Sequence, residues 1–302
     1  MHKRVRSNLR CLIALMAMGL MTATHADDEP NIGESAAPLL WQPSMNVFRR
    51  FSVDAQTMYT FYRDVLGLKQ LATIGVGNGG GVARFLAGTS EIKLTAKADR
   101  KQYVSGGVKA ATGLRLLTFF YPDEAPLVER FRAQGYAAPE FARDAASGHA
   151  KAFVQDPDGQ WVELVVAAGA ATELFAHIEV GLTVSDIETS RRFYRDFVGL
   201  EELAQVNDPV FGTIKYAYRH GTTTINLRSF GSGLPADTGS GGIQYVVSDV
   251  NRVDALAKVH KITIDQPLSG LTGFSVRTLW LDDPDGITNY FAETDASRNA
   301  RQ

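Results

Sequence analysis

Few residues in this chain can carry acid–base, nucleophilic or metal chemistry, and their spacing narrows the choice further. The only cysteine, Cys11, lies near the N-terminus, ahead of an apolar run. From residue 27 onward there is no thiol, which excludes disulfides, cysteine nucleophiles, iron–sulfur clusters and cysteine zinc sites. Four histidines lie beyond that point: His149, His177, His220 and His260. His177 stands two residues before Glu179 on a run that reads as a strand, so both side chains face one side. An imidazole beside a carboxylate can move a proton or share a cation. His149 precedes Asp156 by seven residues, on a run expected to pair with the one that carries Glu163. Both histidines also fit, and fit better, as half-exposed residues at strand ends. His220, beside Gly221 in a turn pattern, and His260, near a helix end, are expected at the surface.

The N-terminus has its own logic. Lys3, Arg4, Arg6 and Arg10 precede the apolar run Leu12 to Ala23, and Thr24-His25-Ala26 supplies small residues before Asp27-Asp28-Glu29. That order is the layout of a cleavable export signal over residues 1–26, and the run is too short to span a bilayer. Of 31 basic residues, the four in this segment leave with it, so 27 face 33 acids and the formal charge goes from −2 to −6. An acidic balance gives no electrostatic reason to bind nucleic acid. An exported protein, periplasmic or secreted, with no membrane partner after cleavage is therefore expected.

The elements that position these residues recur. Residues 54–68, DAQTMYTFYRDVLGL, and 186–200, DIETSRRFYRDFVGL, share eight identical positions at an offset of 132, among them Phe61/Phe193 and Tyr62/Tyr194. Each predicts a helix with an aspartate N-cap, one apolar stripe and a closing glycine. A second pair, FVQDPDGQWVELV around Asp156 and WLDDPDGITNYFA around Asp283, predicts two strand–turn–strand hairpins. Two weaker helices are expected, Asp123 to Gln134 and Val250 to Val259, so four helices each follow one β-like run and precede several more. The unit is βαβββ, repeated four times. Boundaries follow: an irregular leader 27–45, a first domain 46–167, a linker 168–176, a second domain 177–293 and a tail 294–302. Leu39, Leu40 and Trp41 are expected to dock the leader on the body.

Together the FYRDVLGL and FYRDFVGL helices, GLTVSD, DPDGQWVEL and DPDGITNYF resemble the vicinal oxygen chelate superfamily over about residues 46–293. That group includes glyoxalases, bleomycin-resistance proteins and extradiol dioxygenases. The resemblance implies an α+β fold of four βαβββ modules in two tandem glyoxalase-like domains, with any metal held between two modules. Each module would offer one ligand from its first strand and one from its last. These positions fall on Val47 and Lys93, about Leu116 and Glu163, Glu179 and Asn226, and about Gly242 and Tyr290. No histidine stands among them, which disfavours the iron dioxygenase reading and its two-histidine, one-carboxylate triad. Pairing modules one with two and three with four would put one carboxylate in each cleft. Pairing two with three would gather Glu163, Glu179 and Asn226.

Two classes of function follow from the resemblance. In the first, a divalent cation at Glu163 and Glu179 (Mg²⁺, Mn²⁺ or Ca²⁺ before Fe or Zn) assists a lyase or isomerase acting on a small oxygenated metabolite. Asn226 would orient the substrate, and His177 or His149 would assist. In the second, a metal-free cleft lined by Tyr290, Trp280, Trp161 and Tyr245 binds or sequesters a flat or amphipathic small molecule unchanged.

Overall fold

The computed structural model describes residues 29–75, 81–97, 101–145 and 147–300; the expected export signal lies outside them. The first module comprises β1 (Asn46–Phe51), α1 (Ala55–Thr60), β2 (Lys69–Gly75), β3 (Gly81–Ala87) and β4 (Ser90–Ala96). The second comprises β5 (Gly113–Tyr121), α2 (Glu124–Ala133), β6 (Ala142–Arg143), β7 (Ala150–Gln155) and β8 (Trp161–Val166). In the third, β9 (Ile178–Thr183) and α3 (Ile187–Arg191) precede β10 (Glu201–Glu202), β11 (Val206–Asp208), β12 (Thr213–His220) and β13 (Thr223–Arg228), one short strand more than the βαβββ pattern predicts. The fourth runs β14 (Gly241–Val246), α4 (Val250–Val259), β15 (Thr263–Gly270), β16 (Val276–Asp282) and β17 (Thr288–Thr294), followed by the short α5 (Asp295–Asn299).

Local chemistry explains the repeated helices. The Asp54 carboxylate accepts from Thr57 N at 2.9 Å and the Asp186 carboxylate from Thr189 N at 2.6 Å, satisfying first-turn N–H groups. Gly67 (φ +77°) and Gly199 (φ +82°) end the helices in the left-handed conformation open to glycine. Between cap and glycine each helix widens into a π turn, over Phe61–Val65 and Arg192–Phe197.

The same helices hold the hairpin turns. Asp156 accepts from Asp158 N and Gln160 N through Oδ1, and from Tyr62 Oη at 3.2 Å through Oδ2. Asp283 repeats the pattern with Asp285 N, Ile287 N and Tyr194 Oη at 2.8 Å. The tyrosine of each FYRD motif thus donates to the first aspartate of a DPDG turn in the following module. One difference matters: Arg49 pairs with Asp156 at 3.2 Å, whereas Gly181, which faces Asn226 on β13, is the residue found 132 positions on. Burial pushes the Asp283 pKa up to about 7, against an ordinary value of 3.8. A carboxyl with a raised native pKa binds more protons folded than unfolded across that interval, so its contribution to stability is lost as pH rises from about 4 to about 7. Asp283→Asn keeps the acceptor and removes the titration. Its unfolding free energy is expected to fall less steeply over this range than that of the native protein, and parallel slopes in urea titrations would contradict the assignment.

Two mixed sheets form. One has the strand order β15-β16-β17-β14-β1-β4-β3-β2, and the other β10-β12-β13-β9-β5-β8-β7-β6 with β11 on β12. Module one therefore joins module four, through antiparallel β1 and β14 with Val47 opposite Ile243. Module two joins module three, through antiparallel β5 and β9 with Leu117 opposite Val180. Alternate residues of every central strand enter one continuous core with the helices, including Val47, Ile92, Leu117, Val162, Val180, Ile225, Ile243 and Phe291. The other face of each sheet is free for a site.

The leader is docked, and the two histidines expected at the surface hold it. His260 Nε2 lies 2.7 Å from Glu34 O, and His220 Nε2 lies 2.6 Å from Gln42 O. Leu40 bridges to Val247, Ala36 N donates to Phe197 O, and Arg252 pairs with Glu34. Leu39 and Leu40 pack against the core, while Trp41 is 45% exposed and does not bury.

Candidate functional site

On the nine-stranded sheet the core takes Val162 and Leu164 of β8, Leu117 and Phe119 of β5, Ile178 and Val180 of β9, and Ile225 and Leu227 of β13. Their neighbours Trp161, Glu163, Thr118, Glu179, Gly181, Thr224, Asn226 and Arg228 therefore share the opposite face. Register sets them in rows: Glu163 stands opposite Thr118, Thr118 opposite Glu179, and Glu179 opposite Thr224. The two glutamates are thus two strand spacings apart, about 10 Å at the backbone.

This sheet curls into a cleft. β7 and β12 are five strand spacings apart, about 24 Å on a flat sheet. Yet the rings of Phe153 on β7 and Phe211, just before β12, have centroids 5.5 Å apart. With Trp161, Leu116 and Val108 they form a small apolar cluster at one end. At the other end, Thr118 Oγ1 donates to Glu163 at 2.8 Å, Asn226 Nδ2 donates to Glu179 at 2.5 Å, and Lys215 Nζ lies 3.7 Å from Glu179. Burial holds the Glu163 carboxyl above its usual range, the Thr118 hydrogen bond works against this, and the charge of Glu179 adds to it. Lys151 on β7 is raised despite its burial, by Asp144 and by the charges of Glu163 and Glu179. Asn226 Oδ1 and Arg228 Nη1 are buried with no hydrogen-bond partner.

The eight-stranded sheet curls likewise and carries a different surface. Asn46, Phe48 and Arg50 of β1 face away from the core, with Glu91 and Lys93 of β4, Gln244 of β14, Tyr290 of β17 and Trp280 of β16. Trp280 and Phe48 are three strand spacings apart, yet their ring centroids are 6.3 Å apart. Lys93 Nζ donates to Gln244 Oε1 at 2.5 Å and lies 3.5 Å from Glu91, which also takes Arg84. A hollow of about 680 Å³ between the leader and α3, lined by Ser35, Arg192, Phe193, His260 and Lys261, lies apart from both clefts.

Two sheets, each built from two βαβββ modules and curled around a cleft, invite comparison with known proteins. The family model described as the glyoxalase/bleomycin resistance protein/dioxygenase superfamily matches residues 44–164 and again 174–291. The chain belongs to this superfamily. Its two tandem domains exchange partners, so that each sheet draws one module from each. Glyoxalase I from Zea mays superposes with a TM-score of 0.65 at 20% identity, over 85% of this chain and 94% of that one. A putative dioxygenase from Bacillus subtilis subsp. subtilis str. 168 superposes with a TM-score of 0.60 at 15% identity, over 85% and 86%. Such identities establish the shared fold. No curated protein matches the sequence significantly.

Several expected site positions of this superfamily member shift. Val47 is in the core, and Asn46 takes its place facing the cleft. Thr118, two residues past Leu116 on the same face of β5, lies between the carboxylates, opposite Glu163 on one side and Glu179 on the other. Gln244, not Gly242, stands between Asn46 and Tyr290. Tyr245 faces the core, stacked on Phe291 at 4.7 Å and donating to Asn289, so it lines no cleft. The remaining aromatics are divided: Trp161 lies in the cleft of modules two and three, Trp280 and Tyr290 in that of modules one and four. His177 caps a 3-10 turn one residue before β9, on the Glu179 side. His149 precedes β7, four residues and about 13 Å along the chain from Phe153, the residue opposite Glu163. Lys215 is the basic group nearest Glu179, and Lys151, paired with Asp144, lies close enough to feel the charge of both glutamates; the alternation of these lysines with core residues on AKAFVQ and TIKYAYRH is their signal in the sequence.

The superfamily resemblance implies that a metal, where one is held, sits between two modules, and the donors in the central row test that. Among the described residues no three His, Asp, Glu or Cys side chains group closely enough to hold an ion. Two of the four central residues are threonines, both carboxylates already accept from neutral donors, and Lys215 faces the charge of Glu179. This donor set does not fit a resident divalent cation, which needs several free oxygen ligands.

Proposed function

We propose that the cleft of modules two and three binds a small oxygenated molecule, with its hydroxyl or amine hydrogens on Glu163 and Glu179 and its apolar part against Trp161 and Phe153. Binding needs no resident metal. The observation that carries this reading is the Glu163–Thr118–Glu179 row beside the buried, unpartnered Asn226 Oδ1, which offers a further acceptor. Buried polar groups without partners are rare in folded proteins, and a ligand hydroxyl is one way to complete them. The Glu163 carboxyl, raised beside a second carboxylate, can also give a proton to a bound oxygen or take one from it. The order of residues 1–26 supports action outside the cytoplasm, in the form that begins at Asp27.

The test is quenching of Trp161 fluorescence by resorcinol, a small aromatic diol, with Trp161→Phe as the control. Glu163→Gln is expected to weaken binding about tenfold, the loss of one hydrogen bond to a charged group. Unchanged affinity would overturn the reading. If instead Mn²⁺ binds the native protein and both Glu163→Gln and Glu179→Gln lose it in calorimetry, the cation-assisted lyase or isomerase takes its place.

A further inference from the structure

Arg50 stands apart from the other buried arginines. Arg49 pairs with Asp156, Arg115 with Asp237 and Arg228 with Asp208, each pair in contact and largely withdrawn from solvent. Arg50 is 7% exposed, has no acidic partner among the described residues, and keeps Nη1 buried without any hydrogen bond. Its contact is the face of Phe48, with Cζ 5.1 Å from the ring centroid. A buried cation held only by a π face lacks the charged partner that usually offsets its desolvation.

The surroundings indicate what would complete it. Phe48 adjoins Tyr290 at 5.6 Å, and Tyr290 stacks on Trp280 at 4.7 Å with planes 13° apart. Trp280 and Tyr290 are only half-buried, so this aromatic wall keeps an open side. Across Gly242 from Phe48, the fully buried Thr288 Oγ1 also lacks a partner. The acids of this cleft are taken: Glu91 by Arg84 and Lys93, and Asp282 by Lys101. Lys93 in turn spends its ammonium on Gln244 and Glu91. The unsatisfied charge is therefore positive, and it sits at the edge of an aromatic wall.

We propose that the cleft of modules one and four is a second ligand site, chemically unlike the first, which takes a planar aromatic carboxylate with its anion on Arg50 and its ring against Phe48, Tyr290 and Trp280. A guanidinium edge matches a carboxylate in plane, and the ring–ring contacts add the apolar part. The site shares no residue with the Glu163–Glu179 row, so it stands or falls independently of the function proposed above.

The experiment titrates 2-naphthoate, the isosteric uncharged 2-naphthamide and 2-naphthyl phosphate against the full protein by calorimetry. Naphthoate is expected to bind about tenfold or more tighter than naphthamide, the margin of a charge-assisted contact. Arg50→Gln should abolish that preference, and Arg50→Lys, which keeps the positive charge, should retain part of it. Equal affinity for naphthoate and naphthamide, no naphthoate binding at millimolar concentration, or a preference that survives Arg50→Gln would each overturn the proposal. Tighter binding of the phosphate would overturn the carboxylate assignment. Should Arg50→Gln fail to fold, the comparison of the two ligands on the native protein decides alone.

Discussion

Phe61→Ala and Phe193→Ala are each expected to lower the unfolding free energy by about 3–5 kcal/mol, the usual cost of emptying a large aromatic site in a packed core. Phe61 is fully buried, with edge contacts to Phe131 at 6.2 Å and Tyr136 at 5.4 Å, so it ties the helix of module one to the end of the helix in module two. Phe193 is 2% exposed and meets Tyr194 at 5.0 Å and Phe197 at 5.4 Å. Both sit in the π turn, whose wider spacing places consecutive aromatic side chains in the core. Neighbouring residues cannot refill a ring-sized cavity without moving the strands beneath. Urea unfolding measures the loss, and a value below about 1 kcal/mol for both variants would contradict the core assignment.

Arg115→Met should be comparably costly, about 3–5 kcal/mol, for an electrostatic reason. Arg115 and Asp237 are paired with neither side chain exposed. The guanidinium also donates to the carbonyls of Val104 at 2.7 Å and Gly106 at 2.6 Å, while Asp237 accepts from Ser240 N at 2.9 Å. One pair thus fastens the two loops that link modules within each domain, where they cross between the sheets. Removing the arginine leaves a buried carboxylate without its countercharge. Asp237→Asn in the same chain should recover part of the loss, because the stranded charge goes with it. Equal instability in the single and double variants would mean that the loop contacts, not the ion pair, carry the effect.

Much of the architecture was legible locally. Aspartate caps, closing glycines, apolar helix stripes and DPDG turns depend on backbone angles and neighbours within a few residues, and all of them recur at matching places in the sequence. From them the four modules, the helices and the hairpins could be read in order. Contact between the motifs was not legible: nothing near Tyr62 shows that its hydroxyl meets Asp156, 94 residues on.

What the sequence determined by itself was therefore the modules and the short list of groups able to do chemistry, with thiols absent beyond Cys11. Tertiary structure alone decided which modules share a sheet, and with that which side chains meet. Joining module two to module three brings Glu163 and Glu179 into one row, and joining one to four isolates Arg50 beside an aromatic wall. The face a side chain takes was equally undecided in advance. Val47 gave way to Asn46 and Tyr245 turned inward, because a strand alternates with period two and a one-residue slip reverses every side chain on it. Hairpin registers follow from their turns, but β1 and β5 take theirs in part from β14 and β9 of distant modules, which no local pattern specifies.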